Sequence, residues 1–223
     1  MAAPMLVIFD CDGVLVDSEA FVGRIHAEAL AAAGFPLTEA EIARRFTGHT
    51  DAEMYAAIEA DAGRPVPPGY HEGVKAAIER AYRRDLRAIP GVEAAIDAAP
   101  GPVCVASSSA PSKLRLGLAV TGLLPRFDPH VFSAAEVARG KPAPDLFLHA
   151  AARMGAAPGD CLVIEDSLAG VAAARAAGMR IVGFSGGSHC GPGHADRLAT
   201  AGAERVFSAM ADLADVLRAG APA

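Results

Sequence analysis

The segment MLVIFDCDG, residues 5–13, joins a continuous apolar run to two aspartates and a glycine. The apolar run predicts a strand buried on both faces of a parallel sheet, and Gly13 predicts the turn that follows it. Side chains two residues apart point to the same side of an extended chain, so Asp10 and Asp12 can converge while Cys11 faces away. Because open α/β sheets bind their ligands at the carboxyl ends of the strands, this pair of acids is the first candidate site.

The remaining sequence predicts an α/β fold with an all-helical insertion. After residue 88, helical patterns alternate with short apolar strand patterns, which predicts a Rossmann-like, doubly wound parallel sheet covered by helices. The predicted strands after the first are 103–106, 130–132, 161–164, 180–184 and 205–207. Only helical patterns occur between the first strand and residue 88. The predicted catalytic core is therefore residues 1–16 and 88–223, and the predicted helical cap, residues 17–87, stands over the strand ends.

Composition narrows the possible partners. The 223 residues are 52% hydrophobic and 21% charged, as in ordinary globular proteins, and the formal net charge is −6. An acidic chain lacks the positively charged surface that binds the phosphate backbone of a nucleic acid, so we expect no nucleic-acid partner. We find no apolar run that could span a bilayer, no signal peptide and no clustering of the four cysteines. We therefore expect a cytoplasmic monomer with reduced thiols and no membrane partner.

Three further polar groups follow predicted strands or precede predicted helices. They are the serines 107–109, Lys141 and the pair Glu165 and Asp166. Each has an ordinary explanation when taken alone: serines before a helix are usually caps, a lysine is usually a solvated surface charge, and Asp166 could be a helix N-cap. Glu165 has no such explanation, because it ends an apolar strand as Asp10 does.

Together these groups predict phosphoryl transfer. A carboxylate that attacks a phosphoryl group meets like-charge repulsion, so the site needs a cation, a lysine and hydrogen-bond donors for the phosphoryl oxygens. A second acid must carry protons for the leaving and entering oxygens. Carboxylates with few histidines or thiols nearby in sequence predict a hard cation, Mg²⁺. The spacing alone leaves open which aspartate attacks.

Four segments carry a resemblance to a known family. VIFDCDGVLVDSE (7–19), VCVASSS (103–109), RGKPAPD (139–145) and LVIEDSLAG (162–170) resemble, in order, the four motifs of the haloacid dehalogenase-like superfamily. The resemblance is strongest to its branch of small sugar-phosphate phosphatases and β-phosphoglucomutase-like proteins with a helical cap.

The resemblance implies a role for each motif. Asp10 would be the nucleophile that forms an aspartyl-phosphate, Asp12 the general acid and base, and Ser107 and Lys141 would bind the phosphoryl group. The groups implied to hold Mg²⁺ are Asp10, the backbone carbonyl of Asp12, Glu165 and Asp166. The cap turn and the second serine of the 107–109 run are the predicted substrate-binding residues: Gly48, His49, Thr50 and Ser108.

The expected activity is Mg²⁺-dependent hydrolysis of a phosphorylated small metabolite, a sugar or sugar-acid phosphate such as 6-phosphogluconate. Within this superfamily, the presence of Asp12 argues against dehalogenase activity and for phosphoryl transfer. A phosphosugar mutase is the first alternative, but mutases of this branch usually carry a histidine near the position of Val22 and an arginine near that of Asp51, and this chain has neither. The second alternative is a phosphometabolite-binding protein without turnover.

One further segment, residues 185–194, mixes histidine, cysteine and glycine. Its spacing supplies three candidate zinc ligands where four are usual, so it predicts a plain surface loop rather than a metal or phosphate site.

Overall fold

The fold is built on one parallel sheet. A computed structural model describes residues 5–218, and within that range six strands pair in the order β3-β2-β1-β4-β5-β6, every neighbouring pair parallel. The strands are β1 Leu6–Phe9, β2 Val103–Ser107, β3 Val131–Ser133, β4 Cys161–Glu165, β5 Arg180–Phe184 and β6 Arg205–Phe207. The order reverses direction at β1, as in doubly wound folds, and the predicted fold class is confirmed.

Helices fall into two groups. Between β1 and the next strand the chain forms α1 Glu19–Ala32, α2 Glu39–Phe46, α3 Asp51–Ala62 and α4 Tyr70–Asp85. The later helices are α5 Val92–Asp97, α6 Pro111–Val120, α7 Leu124–Phe127, α8 Asp145–Met154, α9 Leu168–Ala176, α10 His194–Ala201 and α11 Met210–Arg218.

The first strand shows why the sheet is buried on both faces. Val7 and Phe9 point into one apolar cluster, which α5, α6 and α11 complete, whereas Leu6 and Ile8 point into a second cluster with α8 and α9. Because successive side chains alternate between two apolar layers, the strand has no polar position until it ends at Asp10.

Helices α1–α4 enclose a third apolar cluster of their own. Its buried members are Leu30, Phe35, Ile42, Met54, Tyr55, Ile58 and Val66. The inner face of α4 joins the cluster beneath the sheet instead, through Val74, Ile78 and Tyr82. This helical layer is thus packed internally and also fixed to the sheet by its last helix.

The chain enters and leaves this helical layer at adjacent points. The backbone N–H of Ile89 donates to the carbonyl of Leu15 at 2.9 Å, and that of Asp17 donates to Arg87 at 3.0 Å. Val16 and Ala88 form an antiparallel bridge between them. The predicted domain limits at 16/17 and 87/88 fall on this crossing, and the division into two domains stays a prediction. Residues 1–4 and 219–223 of the predicted core lie outside the described range.

Two helices were not predicted. The short α7 precedes β3, and α10 begins at His194, at the end of the segment expected to be a loop. In α10 the single fully buried side chain is Leu198, so the helix offers few large apolar residues by which it could be recognised in sequence. Across residues 5–218, no helix combines the length and apolar character needed to cross a bilayer.

Candidate active site

The sheet brings three of the predicted motifs to one edge. Asp10 follows β1, Ser107 ends β2 and Glu165 ends β4, and β1 lies between the other two strands. Phe9 pairs with both Val105 and Ile164, so the three strands end at nearly the same level. The polar side chains therefore meet at the point where the strand order reverses, which is the usual ligand site of such sheets.

Lys141 joins the fourth motif to this edge. Its buried ammonium group donates to Asp10 Oδ1 and to Glu165 Oε1, both at 2.6 Å, and to the carbonyl of Ala106 at 3.1 Å. Burial opposes the charged form, but the charges of Asp10 and Glu165 prevail and raise the pKa of Lys141 above its usual range. The lysine is a buried, protonated partner of two acids rather than a surface charge.

Three buried carboxylates cluster around that lysine. One oxygen from each of Asp10, Glu165 and Asp166 lies within 4.8 Å of the others. Burial raises the pKa of Asp10, as do the charges of Glu165 and Asp166, although Lys141 opposes them. The three carboxylates carry more negative charge than the single ammonium group of Lys141 can offset, as expected of a site that binds a cation.

The free oxygens of this cluster fit a hard cation. Asp166 Oδ2 is buried and, among residues 5–218, lies 3.0 Å from His189 Nε2 but accepts no hydrogen bond of good geometry. Glu165 is different, because its Oε2 already accepts from the backbone N–H and the hydroxyl of Ser167, at 2.7 and 2.9 Å. A set of carboxylate oxygens with an unsatisfied buried member suits Mg²⁺, and Asp10 and Asp166 offer the less committed oxygens.

Asp12 points away from the acidic cluster toward the helical layer. Its carboxylate accepts hydrogen bonds from the hydroxyls of Ser18 at 2.6 Å, Tyr82 at 2.9 Å and Ser109 at 2.6 Å. Burial works against ionisation, but the charge of Lys113 and these hydroxyls lower the pKa of Asp12. The two aspartates of the first motif thus occupy different surroundings, one beside Lys141 and one among hydroxyl groups.

Lys113 and Glu19 are part of this site although the sequence analysis missed them. The ammonium group of Lys113, in the first turn of α6, lies 3.9 Å from Asp12 Oδ1. Burial and the charge of Asp12 raise the pKa of Glu19 to about 7. The position of Lys113 in the chain could have indicated its role. Helix α6 follows β2, so its first turn lies at the same edge of the sheet as Asp10.

The predicted substrate-binding residues Ser108 and Gly48 contact each other. The Ser108 hydroxyl donates to the carbonyl of Gly48 at 2.7 Å, which ties the turn between α2 and α3 to the end of β2. Gly48 has φ +85°, and a Cβ there would stand 2.4 Å from Ser167 Oγ. Both residues thus hold the helical layer against the sheet edge.

The other two residues of the turn differ in what they can offer a ligand. The Thr50 hydroxyl is engaged with Glu53 in the capping box that starts α3. His49 Nδ1 is buried without a hydrogen-bond partner within the described chain. Of the two, His49 has a free polar atom.

A small cavity separates the sheet edge from the helical layer. Asp10, Asp12, Lys113 and Asp166 line it from one side and the turn 47–51 from the other, and its volume is about 80 Å³. Ligand pockets usually measure about 300–1,000 Å³. The space between the sheet edge and the helical layer is therefore narrower in this structure than most ligand pockets.

The segment 185–194 lies largely at the surface outside helices and strands, as predicted, but it also contacts the acidic cluster, which the sequence analysis did not predict. The backbone N–H and hydroxyl of Ser188 both donate to Asp17 Oδ1, at 3.0 and 2.8 Å. His189 Nε2 lies 3.0 Å from Asp166 Oδ2, and His194 Nε2 lies 2.7 Å from the backbone oxygen of Asp166. Nothing in the spacing of the histidines indicated this contact, because it depends on how the loop folds back over the sheet edge.

Comparison with known proteins agrees with this arrangement. A family model described as haloacid dehalogenase-like hydrolase matches residues 4–178, most of the chain. The chain belongs to the haloacid dehalogenase-like hydrolases. The predicted resemblance is confirmed, and so is the predicted class, a phosphoric monoester hydrolase of this superfamily.

Individual haloacid dehalogenase-like proteins are similar over nearly the whole chain. The 6-phosphogluconate phosphatase of Escherichia coli (strain K12) is 32% identical over 187 residues, which cover 83% of this chain and 85% of that protein. A conserved haloacid dehalogenase-like protein of unknown function from Agrobacterium tumefaciens is 41% identical with a TM-score of 0.82, covering 99% of this chain and 100% of that one. A family hydrolase from Deinococcus radiodurans, solved with bound phosphate and sodium, is 36% identical with a TM-score of 0.75 and full coverage of both chains.

Proposed function

We propose that this protein is a Mg²⁺-dependent phosphatase that hydrolyses the phosphate monoester of a sugar or sugar acid through an aspartyl-phosphate on Asp10. One observation carries the proposal: the Asp10 carboxylate lies 2.6 Å from the buried ammonium group of Lys141 and lines a cavity that it shares with Asp12. A nucleophile and a separate acid thus face one cavity, and the neutralising ammonium group is hydrogen-bonded to the nucleophile.

In the first step a carboxylate oxygen of Asp10 attacks the phosphorus atom, and the bond to the ester oxygen breaks. Lys141 orients Asp10 and offsets part of the negative charge that gathers as the two anions approach. Ser107 ends β2 at the same edge and supplies a hydroxyl for the phosphoryl oxygens. The charge repulsion between carboxylate and phosphate is the main barrier that these groups lower.

Asp12 carries the protons. Because its pKa is lowered in the free protein, Asp12 takes up a proton when the anionic substrate binds beside it, and it gives this proton to the leaving ester oxygen. As a carboxylate it then takes a proton from the water that attacks the aspartyl-phosphate. The hydroxyls of Ser18, Tyr82 and Ser109 hold its carboxylate between the sheet edge and the helical layer. This position suits transfer to a leaving group that extends toward the cap.

The residues that would hold Mg²⁺ are Asp10, the backbone carbonyl of Asp12, Asp166 and, through its charge, Glu165. Mg²⁺ bound there would offset the repulsion between Asp10 and the phosphoryl oxygens. Glu165 has one oxygen on Lys141 and the other on Ser167, so it positions the lysine as well as adding charge.

A sugar-acid substrate is supported by two observations. The E. coli relative is named for 6-phosphogluconate. In this chain Lys113 lines the cavity beside Asp12, where its charge suits a second anionic group such as a carboxylate. We propose that Ser108, Gly48, His49 and Thr50 form the substrate side of the cavity, with His49 Nδ1 as its free hydrogen-bonding atom.

The test is phosphate release from a panel of sugar and sugar-acid phosphates with and without Mg²⁺. We expect metal-dependent release, and Asp10→Asn should lower its rate at least about 10³-fold because the nucleophile is lost. Asp212→Asn, an exposed aspartate on α11, is the matched control and should keep the parental rate.

The products separate the alternatives. Isomerised phosphosugar in place of free phosphate would identify a mutase, and binding of Mg²⁺ and phosphosugar without turnover would identify a binding protein. Unchanged phosphate release by Asp10→Asn would show that the nucleophile is wrong. The cytoplasmic location and the monomeric state expected from the sequence stay predictions.

A further inference from the structure

The loop before α10 gathers three side chains that the proposed phosphatase does not use. His189, Cys190 and His194 each offer a ligand atom, and these atoms all lie within 4.8 Å of one another. Of the four cysteines, Cys11, Cys104 and Cys161 are buried, and Cys190 is the one that is partly exposed. The cluster therefore combines two imidazoles with the accessible thiol of the protein.

The distances suit a tetrahedral thiophilic ion. His189 Nε2 lies 3.4 Å from Cys190 Sγ. Ligands at about 2.0–2.1 Å (nitrogen) and about 2.3 Å (sulfur) from a tetrahedral zinc ion stand roughly 3.5 Å apart. The pair is thus already spaced as two such ligands.

The backbone holds the cluster in place. Cys190 N–H donates to Gly187 at 3.0 Å and His194 N–H donates to Gly191 at 3.2 Å, so two successive turns carry the three side chains. The His189 ring is wedged against Gly13, where a Cβ would stand 2.8 Å from its Cε1. The ring is therefore fixed before any ligand arrives.

The hydrogen bonds of the two ring nitrogens of His194 resemble those of a metal-binding histidine. An arginine only donates, so the contact of Arg197 Nη2 with His194 Nδ1 at 3.2 Å places the lone pair on Nδ1. Nε2 then carries the proton and donates to the backbone oxygen of Asp166 at 2.7 Å. In zinc-binding histidines, a bond from the other ring nitrogen to a carbonyl oxygen likewise fixes the tautomer and the orientation of the ring. Arg197 is exposed, so it can leave Nδ1 for solvent.

From this geometry we propose that His189, Cys190 and His194 form a binding site for one thiophilic divalent ion of the Zn²⁺ class, adjacent to the acidic cluster that suits Mg²⁺ but built from different ligands. Soft thiolate and imidazole ligands select such ions over Mg²⁺. Binding replaces the protons on Cys190 Sγ and on His189 Nε2 with the metal and releases them to solvent. Asp166 Oδ2, 3.0 Å from His189 Nε2, stands beside the site as the nearest further carboxylate.

Co²⁺ is the probe, used on the full reduced chain with saturating Mg²⁺ to occupy the acidic cluster. We expect a thiolate-to-cobalt charge-transfer band that saturates at one equivalent and is bleached by one equivalent of Zn²⁺. Cys190→Ser should abolish the band, and His194→Ala should weaken Co²⁺ binding more than tenfold. His130→Ala, an exposed histidine elsewhere, should leave binding unchanged.

Alkylation of the unmodified chain gives an independent test. Zn²⁺ should slow the reaction of Cys190 with iodoacetamide, followed by peptide mass spectrometry, and Mg²⁺ should leave it unaffected. Absence of the band in the parent chain, an equal band in Cys190→Ser, or alkylation that Zn²⁺ does not slow would each overturn the site. If Cys190→Ser does not fold, the alkylation result decides.

Discussion

His26 is a titratable group buried in the helical layer, 3% exposed, and it belongs to the lining of the cavity that Asp10 and Asp12 share. Its Nδ1 lies 3.2 Å from the Tyr55 hydroxyl and its Nε2 lies 3.8 Å from Asp51 Oδ1. Burial lowers the pKa of His26 to about 4, although the charge of Asp51 opposes the shift. The folded protein thus keeps this ring neutral under conditions in which the unfolded chain protonates it.

This shift predicts a pH-dependent loss of stability. Between about pH 6.5, the ordinary histidine pKa, and about pH 4 the unfolded state binds more protons, so stability is present above this window and falls as the pH decreases through it. His26→Gln should remove up to about 1.4 kcal/mol per pH unit from that slope. Urea unfolding at several pH values measures it.

The exposed His130 gives the control for this experiment. His130→Gln should retain the parental dependence of the unfolding free energy on pH. If His26→Gln also retained it, the acid sensitivity would come from other groups.

At the level of single residues, the sequence could predict the charged groups that follow strands. Asp10, Glu165 and Asp166 stand out because each interrupts or ends an apolar run. Lys113 and Glu19 lie instead on helices with ordinary polar surroundings in sequence, and only the packing of α1 and α6 above β1 brings them to Asp12. A residue whose role depends on such packing leaves little trace in local sequence.

Among the elements, the turn between α2 and α3 controls how closely the helical layer approaches the sheet. Gly48 lies against Ser167 at the start of α9, and its carbonyl accepts from Ser108. A side chain at this position would therefore separate the two layers as well as strain a left-handed backbone.

Gly48→Ala and Gly63→Ala make a matched pair. Both glycines have positive φ, so both alanines should cost roughly 1–2 kcal/mol of stability, but a Cβ at Gly63 meets open space. Gly48→Ala should in addition lower kcat/KM about tenfold or more, because a displaced turn misplaces the groups that face the substrate. Steady-state kinetics and urea unfolding separate the two effects.

A parental kcat/KM in Gly48→Ala would mean that contact between this turn and Ser167 has no part in catalysis. An equal loss in both would assign the effect to backbone strain alone.

Element boundaries were predictable where local chemistry marks them. Helices α2 and α3 both begin with capping boxes, Thr38 with Glu41 and Thr50 with Glu53, and such a box marks a helix start in the sequence itself. α10 lacks such a box, follows Gly193 and buries little, so its sequence resembles a loop. Strands β2 and β4 each extend one residue beyond the prediction, because Ser107 and Glu165 still pair with neighbouring strands.

For the whole molecule, the cluster of Asp10, Glu165 and Asp166 couples cation binding to stability. In the unliganded protein these charges repel one another, and a cation that binds only the folded state adds stability. At a Mg²⁺ concentration about 100 times Kd the gain should be about 2.7 kcal/mol.

Thermal unfolding with and without Mg²⁺ measures this gain, with NaCl matching the ionic strength. Asp166→Asn should abolish the Mg²⁺-dependent increase in Tm, because it removes the carboxylate with the unsatisfied oxygen. Asp212→Asn should keep the increase. A full increase in Asp166→Asn would place the cation elsewhere.

The crossing of residues 15–17 with 87–89 has a consequence for how such proteins can diversify. Backbone atoms at the two ends of the helical insertion are hydrogen-bonded neighbours, so a tight turn could join them and leave β1 followed directly by α5. What such a deletion would expose is the apolar surface that Ile78 and Tyr82 of α4 now cover. Both ends of the insertion leave the core at the same place. Insertions of other lengths and shapes could therefore replace it without changing the order of the strands.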